Sequence, residues 1–151
     1  MPLWDQLKSK STTMSAQLKS KAHTFKNADF ANASMAVCAL IAAADGSIDA
    51  AERQKTAAFI ASNDVLSIFP SEELKAKFDH FCNKLQADYD FGKIEAVQAI
   101  SKLKKKEDQG RAVIQVGIII GGSDGNFDDD EKRAVREACN AVGISPSEFD
   151  L

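Results

Sequence analysis

Two segments of the chain are apolar nearly all round. One runs through Met35, Val37, Cys38, Leu40 and Ile41, the other from Val113 to Ile120. A helix without a polar face has to sit inside a core, so both segments predict central helices. Other stretches carry a single apolar face. Leu74, Phe78, Phe81 and Leu85 recur at spacings of four, three and four; Ile94, Val97, Ile100 and Leu103 recur every three residues over a helix expected from Lys93 to Lys105. Near the start, Leu7, Met14, Leu18 and Phe25 make a thin seam at intervals of seven, four and seven. Nowhere do apolar and polar residues alternate with the period of two that a half-buried strand requires. The pattern predicts an all-α fold, a compact bundle of about seven to eight helices in one domain over residues 1–151.

Within this pattern one unit occurs twice. Ala44-Asp45-Gly46-Ser47-Ile48-Asp49-Ala50-Ala51-Glu52 and Ser123-Asp124-Gly125-Asn126-Phe127-Asp128-Asp129-Asp130-Glu131 align at an offset of 79 residues. Each follows an apolar helix and precedes an amphipathic one, which predicts two pseudo-symmetric helix-turn-helix halves, residues 28–66 and 107–145. Residues 71–106 supply intervening helices, and residues 1–27 a basic amphipathic N-terminal helix. Local signals place the boundaries. Asn32 or Ser34 offers an N-cap for Met35 to Ala44, Gly46 suits the position past that helix, and Ser71 suits the start of the next. Asp90 and Gly92 precede Lys93, Asp108 and Gly110 precede Arg111, and Gly143 ends the helix from Asp129 to Val142.

Charge adds an asymmetry. The net charge of −3 hides a basic arm: Lys8, Lys10, Lys19, Lys21 and Lys26 face Asp5 alone in residues 1–27, a local +4 that leaves −7 for the body. Such an arm can lie on an anionic membrane surface or dock on its own domain. Its narrow seam favours docking. The cluster Lys104-Lys105-Lys106 falls at a helix end, where cations offset the macrodipole, and no aromatics interleave with it, so nucleic acid is not an expected partner. Cys38, Cys82 and Cys139 have neither disulfide-framework nor zinc-ligand spacing and fall in apolar patterns, as buried thiols do. No apolar run reaches membrane-spanning length and no signal-peptide core opens the chain, so the expected location is the cytoplasm.

The chemistry of the chain is concentrated in the acidic turns. Asp-Gly-x-apolar-x-x-x-Glu matches the second half of an EF-hand calcium loop, but the first and third ligand positions would fall on Ile41 and Ala43, or on Ile120 and Gly122, whose side chains carry no oxygen. The first half of an EF-hand loop is therefore missing. Asp49 with Glu52, and Asp128 with Glu131, have the spacing of capping boxes, each contributing about 1 kcal/mol to its helix without any metal. Capping leaves Asp45 and Asp124 unexplained, because a carboxylate at a helix C-terminus is unfavourable unless a cation or donor compensates it. If the two halves pack about a pseudo-twofold axis, the turns converge and their all-oxygen donors suit a hard ion, Ca²⁺ or Mg²⁺. A cation site and simple helix capping both stand as readings of these residues. No Gly-rich phosphate loop, Ser/His/Asp order or Cys/His pair indicates an enzyme.

At the two turns, and most specifically in Gly122-Ser123-Asp124-Gly125-Asn126-Phe127-Asp128-Asp129-Asp130-Glu131-Lys132 with Ala134-Val135-Arg136-Glu137 after it, the chain resembles the TerB family of tellurite-resistance proteins. Val37-Cys38-Ala39 leading to Asp45-Gly46 carries the likeness in the first half, and it extends over nearly the whole chain. The resemblance implies a non-enzymatic helical protein associated with resistance to tellurite, some phages and colicins. It also implies action with the integral membrane protein TerC at the inner face of the membrane, and metal binding by acidic residues that map onto Asp45, Asp49, Glu52, Asp124, Asp128 and Glu131. One difference separates the copies: Ala50-Ala51 stands where Asp129-Asp130 stands later, so the first turn is less acidic. The reading these features converge on is a divalent-cation-binding stress-response module that docks a membrane-associated partner. The alternative is a metal-free structural adaptor whose acidic turns only cap helices.

Overall fold

A computed structural model describes residues 25–46, 48–63, 65–122 and 127–151. The basic helix expected over residues 1–27 lies almost wholly outside these, as does Asp124. Six α-helices stand among the described residues: α1 Ala28–Ala42, α2 Ala50–Ser62, α3 Ser71–Ala87, α4 Tyr89–Ser101, α5 Glu107–Gly121 and α6 Asp129–Val142. Two 3₁₀ turns, Leu66–Ile68 and Pro146–Phe149, complete them, and no strand occurs among the described residues. The all-α class holds. The count is six rather than seven to eight because the N-terminal helix falls outside the description and the last capped turn closes as 3₁₀.

Helix α1 is the centre. Its buried residues include Phe30, Ala33, Met35, Val37, Cys38 and Leu40, and it packs against each of the other five helices. A helix apolar on every face is stable only when covered on every face, and this arrangement supplies that cover. The start of α1 differs from the sequence expectation. Asn27, in extended backbone, accepts a hydrogen bond from the Phe30 N–H at 2.9 Å and caps the helix. Asn32 and Ser34 therefore lie inside it: the upstream Asn captures the free amides first, and Ala28 to Ala33 is rich in helix formers. The Ser34 hydroxyl is buried without a hydrogen-bond partner.

Helix α5 crosses α1 so closely that a Cβ added to Gly117 would stand 2.6 Å from Cγ1 of Val37. A second close approach corrects another boundary. Gly92 does not precede its helix but lies within it, since α4 begins at Tyr89, capped by Asp88, whose carboxylate accepts from the Phe91 N–H at 3.1 Å. A Cβ at Gly92 would meet the Leu85 backbone nitrogen at 2.6 Å, so the glycine marks where α4 passes the end of α3 rather than a helix stop. Helix α4 ends at Ser101 instead of Lys105, and α5 begins at Glu107 instead of Arg111. The lysine cluster is thus a connection between the two helices. Likewise Pro70, not Ser71, takes the N-cap position of α3, with no side-chain cap.

The duplicated halves appear as the pairs α1–α2 and α5–α6. Their second members differ in burial. Helix α6 buries Ala134, Val135, Ala138, Cys139 and Val142, whereas α2 buries only Thr56 and Ile60. Polar links help hold α2 to α3, with the Arg53 guanidinium donating to Asp79 Oδ1 at 3.1 Å and to Gln86 Oε1 at 3.0 Å. All three thiols are free and buried, and burial pushes Cys82 and Cys139 up to about 12, which keeps them protonated and unreactive. No described helix is long and apolar enough to cross a membrane.

Candidate functional site

The first acidic turn is built by the end of α1. Beyond Ala42 the backbone makes hydrogen bonds from Ala43 N–H to Ala39 O at 3.0 Å and from Gly46 N–H to Ala43 O, also at 3.0 Å. Gly46 takes a φ of +94°, as expected for the residue that ends such a turn. Ile48 is buried and pins the turn to the core, and Asp49 then caps α2 by accepting the Glu52 N–H at 2.7 Å. The second turn ends in the same way. Phe127 is buried, Asp128 accepts the Glu131 N–H at 2.8 Å, and the Glu131 carboxylate accepts the Asp128 N–H at 3.4 Å.

A reciprocal capping box is therefore complete at Asp128 and Glu131. At Asp49 only the forward bond forms. Glu52 instead turns its side chain to a cleft of about 270 Å³ shared by both copies. The apolar back of that cleft is the paired helix ends, Ile41 and Ala42 with Ile120 and Gly121. Its acidic rim is Asp45 and Glu52 from the first copy and Asp128, Asp130 and Glu131 from the second. Lys55 also lines it. The helix ends on either side of the repeat, α1 with the start of α2 and α5 with the start of α6, thus line one cleft.

The electrostatics of the cleft centre on Glu52. Partial burial raises its carboxyl above the usual 4.5, and the charges of Asp45, Asp49 and Asp128 raise it further, against an opposing pull from Lys55. The contribution of Asp128 is a direct sign of coupling between the copies, since it lies 76 residues away in the chain. Such mutual repulsion is relieved by protonation or by a cation. On its other side Asp45 lines a smaller cavity of about 220 Å³ with Lys93 and Arg133. Those two cations have their own partners: Lys93 Nζ lies 2.8 Å from Glu137 Oε1, and Arg133 lies 3.2 Å from Asp130 Oδ1.

Of the six acidic residues singled out in the sequence, Asp45, Glu52, Asp128 and Glu131 meet at the cleft. Asp49 stands beside it as a cap that acts on Glu52 through its charge, and Asp124 is outside the described residues. Among the described residues no three acidic, histidine or cysteine side chains form a group ready to hold an ion. Oxygen donors of this kind fit a hard cation that keeps much of its own water, as Mg²⁺ does. Two charged residues of the cleft were not among the six. Asp130 belongs to the Asp129-Asp130 pair that replaces Ala50-Ala51 of the first copy, and Lys55 follows Glu52 by three residues, on the same helix face.

A duplicated sequence unit whose flanking helix ends line a shared acidic cleft defines a small all-helical protein. The family description "Tellurite resistance protein TerB" matches residues 31–151, and the chain belongs to this family. The tellurium resistance protein TerB of Alcaligenes sp is 29% identical over 118 residues, which cover 78% of this chain and 97% of that protein. No solved structure matches the chain.

Proposed function

We propose that the chain is a non-enzymatic tellurite-resistance and stress-response protein whose acidic cleft takes a divalent cation, Ca²⁺ or Mg²⁺, and which acts with a membrane-associated, TerC-like partner at the inner face of the membrane. The observation that carries the cation is the meeting of carboxylates from both copies, with the Glu52 carboxyl raised by Asp45, Asp49 and Asp128. An incoming ion offsets that repulsion and ties the turn of α1 to the start of α6, so it favours one relative position of the two halves. Asp45, Glu52, Asp128 and Glu131 are the ligands or water-holding groups of this reading, with Asp124 as the matching residue of the second turn and Asp49 as support. Membership of the tellurite-resistance family supports the biological setting. The membrane partner and the inner-face location rest on the family likeness.

A second reading, a metal-free adaptor whose turns cap helices, is favoured by the completed box at Asp128–Glu131 and the cap at Asp49. Calorimetric titration of chelator-treated protein with Ca²⁺ and Mg²⁺ separates the two. The cation reading expects saturable binding that is lost in Asp45→Asn/Asp124→Asn and in Glu52→Gln, with a cation-dependent rise in Tm and cation-dependent association with vesicles carrying the partner. Heat and Tm unchanged up to millimolar ion would leave the adaptor.

A further inference from the structure

We propose that the apolar groove between α2 and α3 is the docking site of the chain's own N-terminal segment, which lays the Leu7–Met14–Leu18 seam into it. The groove has a volume of about 830 Å³. Its floor is Leu74 and Phe78 of α3 with Phe69 beyond them, and its wall is Ala57, Ala58 and Ala61 of α2. Small residues along one helix let a second helix approach closely, and a narrow seam of long side chains is the matching shape. The same alanines explain why α2 buries so little within the described fold: its available face is turned to the groove.

The occupant follows from where the described chain begins. Phe25 is buried and stacks on Phe30 with ring centroids 5.1 Å apart, and Phe30 stacks on Phe69 at 6.3 Å. Two ring-to-ring steps therefore lead from the junction with the N-terminal segment to the groove itself. Phe25 is the last residue of the seam, so the preceding members need only continue along the surface its ring already occupies. The segment is long enough. Its 24 residues span about 36 Å as a helix, against about 20 Å for the 13 residues of α2.

The test uses the full chain. The native thiols are buried, so a Ser62→Cys variant carries a single nitroxide on an exposed site at the end of α2. In an isotope-labelled sample the label should strongly reduce amide signals between residues 10 and 22. That loss should be restored by Leu18→Glu from one side and by Ala61→Glu from the other. Ala61 is exposed and glutamate is a good helix former, so the second variant keeps the fold. Mixing unlabelled nitroxide-bearing protein with isotope-labelled native protein distinguishes the occupant. Signal loss that persists in the mixture would overturn the proposal in favour of a second copy, and no loss in either sample would overturn it in favour of a different partner.

Discussion

Helices α2 and α6 are counterparts in the repeat, yet they have taken opposite roles. Helix α6 places Val135 and Cys139 in the core and closes a complete capping box, whereas the equivalent positions of α2 are Thr56 and Ile60, almost the whole of what it buries. Burying an aliphatic side chain contributes about 1.5–3 kcal/mol, so the difference in packing outweighs any difference between the caps, each worth about 1 kcal/mol. The second copy anchors, and the first is held at the edge by Ile60, Thr56 and the links from Arg53. A duplicated motif can therefore keep its sequence signature while only one copy remains structural, which leaves the other free to present Glu52 to a cleft on one side and alanines to a groove on the other.

The widest separation of the two helices should come from a buried charge. Val135→Asp should destabilise the protein by about 4 kcal/mol, enough to prevent folding of a marginal domain. Thr56→Asp should lose less than half as much in urea denaturation because α2 can move outward. Equal losses would mean that α2 is as integral as α6. Next come the caps. Asp128→Ala and Asp49→Ala should each cost about 1 kcal/mol, read as Tm shifts of about 2–4 °C, because each loses the bond its carboxylate accepts from the amide three residues on, while the return bond from the backbone N–H of residue 128 survives the substitution.

The attachment of α2 to α3 is sensitive to acid. Burial pushes the Asp79 carboxyl up, but hydrogen bonds from Lys75 and Arg53 outweigh it and hold Asp79 below its usual 3.8. A carboxylate depressed in the fold contributes stability above its unfolded pKa and loses it as the pH falls through the folded value. Arg53→Met should therefore speed amide exchange in α2 at neutral pH, at a cost of less than about 1 kcal/mol, and the difference from native protein should vanish below that range.

Smallest is the effect of Glu52→Gln, and its sign is reversed. The Glu52 carboxyl is raised in the fold, so its protonated form favours folding below the unfolded value of 4.5, and that contribution is lost as the pH rises through the folded one. Without added cation, Glu52→Gln should raise Tm slightly at pH 7 and change nothing at pH 4. A fall at pH 7 would show that Glu52 has a favourable partner instead.

Much of this comparison was legible along the chain, for identifiable reasons. The repeat aligns Asp45 with Asp124 and Asp49 with Asp128, and of the six acidic positions Asp45, Glu52, Asp128 and Glu131 line one cleft. What stayed hidden depended on distances between helices. Gly92 reads as a helix stop, yet it is required by the Leu85 backbone 2.6 Å from where its Cβ would be. Asn27 and Asp88 cap their helices where the sequence also offers Asn32 and Asp90, and which polar residue catches the first free amide is decided by where the preceding chain enters. The unequal burial of α2 and α6 could not be seen either, since both carry apolar residues at helical spacing and only the packing of α3 determines which face is covered.

The central position of α1 has a consequence for synthesis. It emerges early, apolar on all sides, while α5 and α6, which cover it, are encoded at residues 107–142. At about 5–20 residues per second the ribosome needs on the order of ten seconds to deliver them. For that interval a segment apolar on all sides has no native partner on one flank, so the yield of folded protein should depend on chaperone occupancy more than on the stability of the finished bundle.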